Sequence, residues 1–276
     1  MKKNKRIAAL VRNPLPTVHY VAPYLKQPTN PVTINLIGAG GTGSHVASVL
    51  GSLQLALLAL DHPGLHVTVF DDDTVSPFNV GRQGFFESEV GLNKAVALVT
   101  RINRCFGTQW VAVKRRWNTV HEAFLKKYIQ ANISISCVDT VEARFDIARL
   151  LKQVAPGHGP QNGLYWIDFG NARYTGQVIL STLQTIKQPA SESYLGIGKL
   201  AYMTEEYKDL LSNTTDRDEP SCSMADALQK QGLYINRALA ASGGMLIENL
   251  FRSVRLESKG FFLNIAEYRQ QPIPIA

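Results

Sequence analysis

Two periodicities alternate along the middle of the chain. Short apolar runs stand at Val32–Ile37, His66–Phe70, Trp110–Lys114, Ile133–Val138, Leu164–Asp168 and Gln177–Leu180. Between them lie longer apolar or amphipathic stretches: Ser44–Leu60, Lys94–Asn103, Val120–Ile129 and Val141–Val154. The short runs predict strands and the long ones helices. Regular alternation over residues 32–182 predicts a mainly parallel, doubly wound sheet with helices on both faces.

The ends of the chain break this rhythm. Residues 1–31 carry Pro14, Pro16, Pro23, Pro28 and Pro31 and read as an extended arm. Residues 185–220 are polar and irregular. A helical region follows from about 221 to Arg255, and Phe261–Ile265 suggests a last strand. The whole, 1–276, is read as one domain with a mixed or antiparallel C-terminal extension.

Composition changes this picture little. The 276 residues are 45% hydrophobic and 18% charged, as in a globular protein. The longest apolar stretch, Val46–Leu60, is interrupted by Ser48, Gly51, Ser52 and Gln54. The basic start (Lys2, Lys3, Lys5, Arg6) precedes only Ile7–Val11, too short for a secretory signal. No membrane association and a cytoplasmic location are therefore expected. Cys105, Cys137 and Cys222 form no Cys-x-x-Cys pair, so a four-cysteine zinc site is not expected. The net charge of +7 suits a polyphosphate or an acidic partner. Nucleic acid is a poor candidate, because Lys and Arg cluster only at residues 2–6 and 114–116.

The chemistry begins at Gly38-Ala39-Gly40-Gly41-Thr42-Gly43, between a predicted strand and a predicted helix. Glycines there let backbone N–H groups approach phosphate oxygens, and the helix N-terminus adds partial positive charge. This is the start of a Rossmann-like fold, but the loop alone leaves NAD, FAD and ATP open. Asp71, ending the next strand, is placed to accept hydrogen bonds from ribose hydroxyls. It lies 33 residues beyond Gly38 rather than about 20. The loop Asp61-His-Pro-Gly-Leu-His66 accounts for the excess.

The residues after Asp71 narrow the choice. They read Asp71-Asp-Asp-Thr-Val-Ser-Pro-Phe-Asn79-Val-Gly-Arg82-Gln83, then Gly91-Leu-Asn-Lys94, then Ser136-Cys-Val-Asp139-Thr-Val-Glu-Ala-Arg144. Taken together they resemble the ThiF/MoeB/HesA family, the ubiquitin-activating-type adenylating enzymes. Its pattern is a GxGGxG loop, Asp-x-Asp-x-Val, Ser-Asn-Leu-x-Arg-Gln, Gly-x-x-Lys and Asp-Asn-x-x-x-Arg. The resemblance spans about 32–182, with a weaker echo at 218–250.

What the resemblance implies is specific. Gly38, Gly40, Gly41, Thr42 and Gly43 would cradle the phosphates of ATP. Asp71, with Asp73, would hold the ribose side. Asn79, Arg82, Gln83 and Lys94 would hold the triphosphate. Asp139, with Thr140 beside it, would bind Mg²⁺ or orient the α-phosphate. The acyl substrate would be the C-terminal glycine of a ubiquitin-like or sulfur-carrier protein. Segment 185–220 would be the crossover loop that grips its tail, and a conjugating-enzyme-like protein would be a further partner. The family is usually homodimeric. Adenylation brings a carboxylate to the α-phosphorus and expels pyrophosphate, so fixed cations and a metal must offset the anionic charge.

Departures from the pattern are also visible. Phe78 stands where Ser is usual, Gly81 where a polar residue is, and Thr140 where Asn follows the metal-binding Asp. Ser136 replaces an acidic residue. The family's N-terminal Arg has only Arg12 as a counterpart. Pro220-Ser-Cys222-Ser precedes the last helical region. Cys222 is either a nucleophile for acyl transfer, activated by a helix N-terminus, or an ordinary small junction residue. Cys105, on the apolar side of a helix, and Cys137, within a strand, read as core. The absence of zinc cysteines, the short arm and the Asp-Glu-Pro-Ser-Cys-Ser segment most resemble the ThiF-family component of the bacterial PRTRC gene system. Two other readings stay open: an NAD(P)- or FAD-dependent oxidoreductase, and a catalytically silent scaffold of the same fold.

Overall fold

In the computed structural model, the described residues are 14–117, 130–154, 162–212 and 232–276. The predicted helix Val120–Ile129, Arg12 and Cys222 lie outside them. The strands are β1 (Thr17–Tyr20), β2 (Val32–Ile37), β3 (Leu65–Phe70), β4 (Val111–Val113), β5 (Ile133–Ser136), β6 (Tyr165–Asn171), β7 (Thr175–Thr182), β8 (Leu195–Gly196), β9 (Arg255–Leu256), β10 (Ser258–Asn264) and β11 (Arg269–Pro274). The long helices are α1 (Gly41–Ala59), α2 (Lys94–Phe106), α3 (Val141–Val154) and α4 (Ile235–Arg252).

Eight strands form one sheet in the order β11-β10-β7-β6-β5-β2-β3-β4. The pairs from β6 through β5, β2 and β3 to β4 are parallel. The pairs β6–β7, β7–β10 and β10–β11 are antiparallel. The sequence expectation of a mainly parallel core with an antiparallel extension therefore holds. The chain leaves β2 toward β3 and β4, then returns to lay β5 and β6 on the other side. The crevice beyond the carboxyl ends of β2 and β5 is thus a topological switch point, where open α/β sheets bind ligands.

Burial explains the layers. β2 and β5 are buried almost throughout because helices cover both faces, although Asn35, Ser134 and Ser136 make parts of them polar. On one face Leu36, Ile135 and Phe169 join Val46 and Leu50 of α1, Leu98 of α2 and Leu239 of α4. On the other, Ile37, Phe70 and Trp166 join Ile147 and Leu151 of α3. α4 lies close on the sheet and on α1 because Gly243 presents only hydrogen toward Phe169 of β6 and Gly244 only hydrogen toward Val49 of α1.

Several expectations need correction. The arm is not wholly irregular: β1 pairs in parallel with β8 and antiparallel with β9 in a separate three-stranded sheet. His19 anchors it, with Nδ1 2.7 Å from the Ile197 carbonyl and Nε2 2.8 Å from the Tyr165 hydroxyl. The described part of 185–220 is packed down, with Ile186, Leu200, Tyr202, Met203 and Leu211 buried. β11 pairs with β10 as a hairpin the sequence did not suggest. Its Pro272 and Pro274 stand on the outermost strand.

Cys105 is exposed, not core. Phe106, one position on, takes the inward place against Gly51 at the end of α2. Cys137 lies just past β5 and is half-buried. The 19-residue α1 is long and apolar enough to cross a bilayer, although 56% of its apolar window is buried in the fold. Apolar surface remains at its C-terminal end, on Leu55, Leu58 and Leu60.

Candidate functional site

A cleft of about 880 Å³ opens at the switch point, within the range of a small-molecule site. Its floor is the glycine loop. Gly38 has φ +93°, and a Cβ there would lie 2.7 Å from the Cys137 carbonyl oxygen. Any other residue would strain the turn and push β2 from β5. Gly43 lies in the first turn of α1, where a Cβ would meet the Gly38 carbonyl at 1.9 Å. Gly40, by contrast, faces open space, with nothing within 4 Å of a built Cβ.

Asp71 ties the loop to β3. Its Oδ2 accepts from the Ala39 amide at 2.6 Å and its Oδ1 from the Asp73 amide at 2.9 Å. Burial pushes its carboxyl above the ordinary carboxylate range, opposed by the Ala39 bond and by Lys94. Asn93 caps α2 by accepting from the Val96 amide at 3.2 Å. Its side-chain nitrogen donates to the carbonyls of Asp71 and Asp73, both at 3.0 Å. This places Lys94 at the first position of α2, buried, with Nζ 2.8 Å from Asp73 Oδ2. Asp72, exposed, pairs with Arg116 at 3.0 Å.

Arg82 and Gln83 line the same cleft. Burial pulls the Arg82 pKa down from the ordinary guanidinium value. Gln83 is buried, and its Oε1 meets no hydrogen-bonding group of the described residues. Asn79 does not line the cleft: it is buried and caps its own turn, with Oδ1 accepting from the Ser76 amide at 2.8 Å. Thr42 is buried at the opposite end. Its hydroxyl lies 3.0 Å from Asn236 Oδ1 and 3.2 Å from Asn171 Oδ1.

Asp139 stands at the rim beyond β5, exposed and lining the cleft. A helix-capping role falls to its neighbour, since Thr140 Oγ1 accepts from the Ala143 amide at 3.2 Å. Beneath them lies a buried ion pair, Arg144 Nε to Asp168 Oδ2 at 3.1 Å. The same guanidinium donates to the carbonyls of Val138 at 2.7 Å and Thr140 at 3.2 Å. The backbone on both sides of Asp139 is therefore clamped. The sequence reading missed Asn93, Asp168, Asn171 and Asn236 as members of this region. Asn93 and Asp168 follow predicted motifs closely enough to have been suspected, whereas Asn171 and Asn236 meet only through tertiary folding.

The residues fit a nucleotide and a divalent cation. The loop leaves room where a phosphate would sit, with Arg82 and Lys94 beside it. The acids at this edge are hard oxygen donors of the kind Mg²⁺ takes. Asp71, Asp72 and Asp73 bring carboxylate oxygens within 4.8 Å of one another, and Asp139 lines the same cleft.

Comparison with solved structures gives the same architecture at low identity. PaaA aligns with TM-score 0.57 and 17% identity over 92% of this chain and 75% of its own. E. coli MccB crystallised with MccA gives 0.55 and 15% over 92% of this chain and 67% of its own. E. coli MccB with ATP gives 0.54 and 16% over 92% and 67%. The chain thus spans about two thirds of MccB. Among curated proteins, none matches the sequence. The family model described as "ThiF family" matches residues 27–274, nearly the whole chain, so the protein belongs to the ThiF family.

Proposed function

We propose that the protein is an ATP- and Mg²⁺-dependent adenylating enzyme acting on the C-terminal carboxylate of a ubiquitin-like or sulfur-carrier protein. The supporting observation is the meeting of Gly40, Arg82, Lys94 and Asp139 in one cleft at the switch point. In the reaction, a carboxylate oxygen attacks the α-phosphorus, the bond from that phosphorus to the α,β-bridging oxygen breaks, and pyrophosphate leaves. Lys94 and Arg82 offset charge on the departing phosphates, and the loop amides orient them. The metal, held by Asp139, would neutralise charge between the phosphates. That MccB has been crystallised with ATP and with MccA supports a nucleotide and a small protein or peptide as the two substrates.

Cys222 would receive the activated acyl group as a thioester, releasing AMP. The crossover segment 185–220 would guide the partner's tail, and a conjugating-enzyme-like protein would accept the product. The Asp-Glu-Pro-Ser-Cys-Ser segment supports a place in the PRTRC-type branch, working as a cytoplasmic homodimer. Pyrophosphate–ATP exchange with a glycine-tailed partner tests the reaction. Exchange that requires Mg²⁺ and the partner's free carboxylate is expected. Absence of exchange together with absence of ATP binding overturns it. Thermal stabilisation by NAD and not by ATP–Mg²⁺ would favour an oxidoreductase, and partner binding indifferent to ATP a scaffold.

A further inference from the structure

In the family pattern an acidic residue occupies the position of Ser136 on β5. Here that position carries only a hydroxyl, yet the negative charge is not lost. Ser136 and Asp168 are direct register partners on the adjacent parallel strands β5 and β6. The Ser136 hydroxyl donates to Asp168 Oδ1 at 2.5 Å and accepts from the Trp166 indole N–H at 2.8 Å. Asp168 is 1% exposed and Ser136 fully buried. The other carboxylate oxygen, Oδ2, holds Arg144 Nε at 3.1 Å. Arg144 in turn holds the carbonyls of Val138 and Thr140, flanking Asp139.

We propose that Asp168 is a positioning residue, which supplies from β6 the charge missing at Ser136 and, through Arg144, aims Asp139 into the cleft. A buried guanidinium needs a carboxylate partner, because removing one member of such a pair leaves an uncompensated charge. Without Asp168, Arg144 keeps its carbonyl acceptors but loses its counter-charge, so its hold beneath the 138–140 turn loosens and Asp139 loses its fixed direction. Exchanging the two residues conserves volume, since Ser136→Asp with Asp168→Ser trades a hydroxyl and a carboxyl between facing positions. Only the role of Asp139 in this inference rests on the adenylation reading.

The test is a charge relocation. Asp168→Ser, Asp168→Asn and the double variant Ser136→Asp/Asp168→Ser are compared with wild type. ATP–Mg²⁺ affinity is measured by calorimetry, exchange by labelled pyrophosphate, and order of the 138–143 turn by amide hydrogen exchange without nucleotide. Both single variants should weaken affinity or exchange about 10–100-fold, as lost ligand-orienting partners do, and should speed amide exchange in the turn. The double variant should restore affinity, turnover and amide protection to within about threefold of wild type, scaled against that same range. Single variants with wild-type amide protection overturn the proposal, as does a double variant that recovers none of the three. If wild type itself binds no ATP, the adenylation reading falls, while the amide-exchange comparison still decides the link from Asp168 to the turn.

Discussion

Lys94 holds Asp73 at 2.8 Å across the mouth of the cleft, its own side chain nearly buried and that of Asp73 more than half exposed. A phosphate entering the cleft competes with Asp73 for this ammonium. Because the carboxylate left behind is solvated, Lys94→Ala should cost little stability, at most about 1 kcal/mol. The same change should lower pyrophosphate exchange about 100-fold or more, as loss of a charge-stabilising group does. Asp139→Ala should behave alike. Unfolding midpoints near wild type with exchange lost in both would fit, and wild-type exchange in either would remove that residue from its assigned role.

The glycine loop separates two kinds of constraint. Gly38→Ala places a Cβ 2.7 Å from the Cys137 carbonyl at φ +93°. It should destabilise the protein by about 1–3 kcal/mol in urea unfolding. Gly40→Ala meets nothing within 4 Å, so the fold should persist. Its methyl group points into the open space of the cleft and should weaken nucleotide binding in a fluorescence titration. Equal nucleotide affinity in wild type and Gly40→Ala would mean that phosphates sit elsewhere.

Acid should weaken the fold through His45. Burial lowers its pKa from 6.5 to about 4, aided by Arg237 and Arg101. In the unfolded chain the imidazole takes a proton below about 6.5, while in the fold it stays neutral until about 4. Stability is therefore full above 6.5 and falls as the pH drops toward 4. His45→Gln should flatten the decline of thermal midpoint across this window relative to wild type. Parallel profiles for the two proteins would assign the acid sensitivity to another group.

The cysteines should differ in reactivity. Cys105 is exposed, whereas burial pushes the Cys137 thiol well above its ordinary pKa. Thiolate, not thiol, is the nucleophile, so iodoacetamide near neutral pH should label Cys105 before Cys137. Peptide mass spectrometry would read this, and prior labelling of Cys137 would contradict the burial.

The bounds of β2 and α3 were legible in sequence because each is a run whose periodicity its neighbours reinforce. The strand β1 was not. Thr17–Tyr20 lies among prolines, and its partners Leu195 and Leu256 are distant in sequence. Cys105 was misjudged because the inward position in the last turn of α2 falls to Phe106, and a single apolar residue there does not fix which neighbour faces in. In the site, motif residues with their own spacing (Gly38, Arg82, Lys94, Asp139) were legible. The replacement of the acid at Ser136 by Asp168 was not, because a cross-strand register cannot be read from a linear motif.

The prolines of β11 have a consequence for assembly. Pro lacks an amide hydrogen, and residues 272 and 274, two apart, would offer theirs to the same side of the strand. Since β11 is bonded to β10 on its inner side, the missing donors fall toward the outside. A visiting strand would find the carbonyls of Pro272 and Pro274 there without matching N–H groups. Among the described residues β11 borders the sheet, and its two missing donors disfavour both fibre-like stacking and recruitment of a partner by strand addition there.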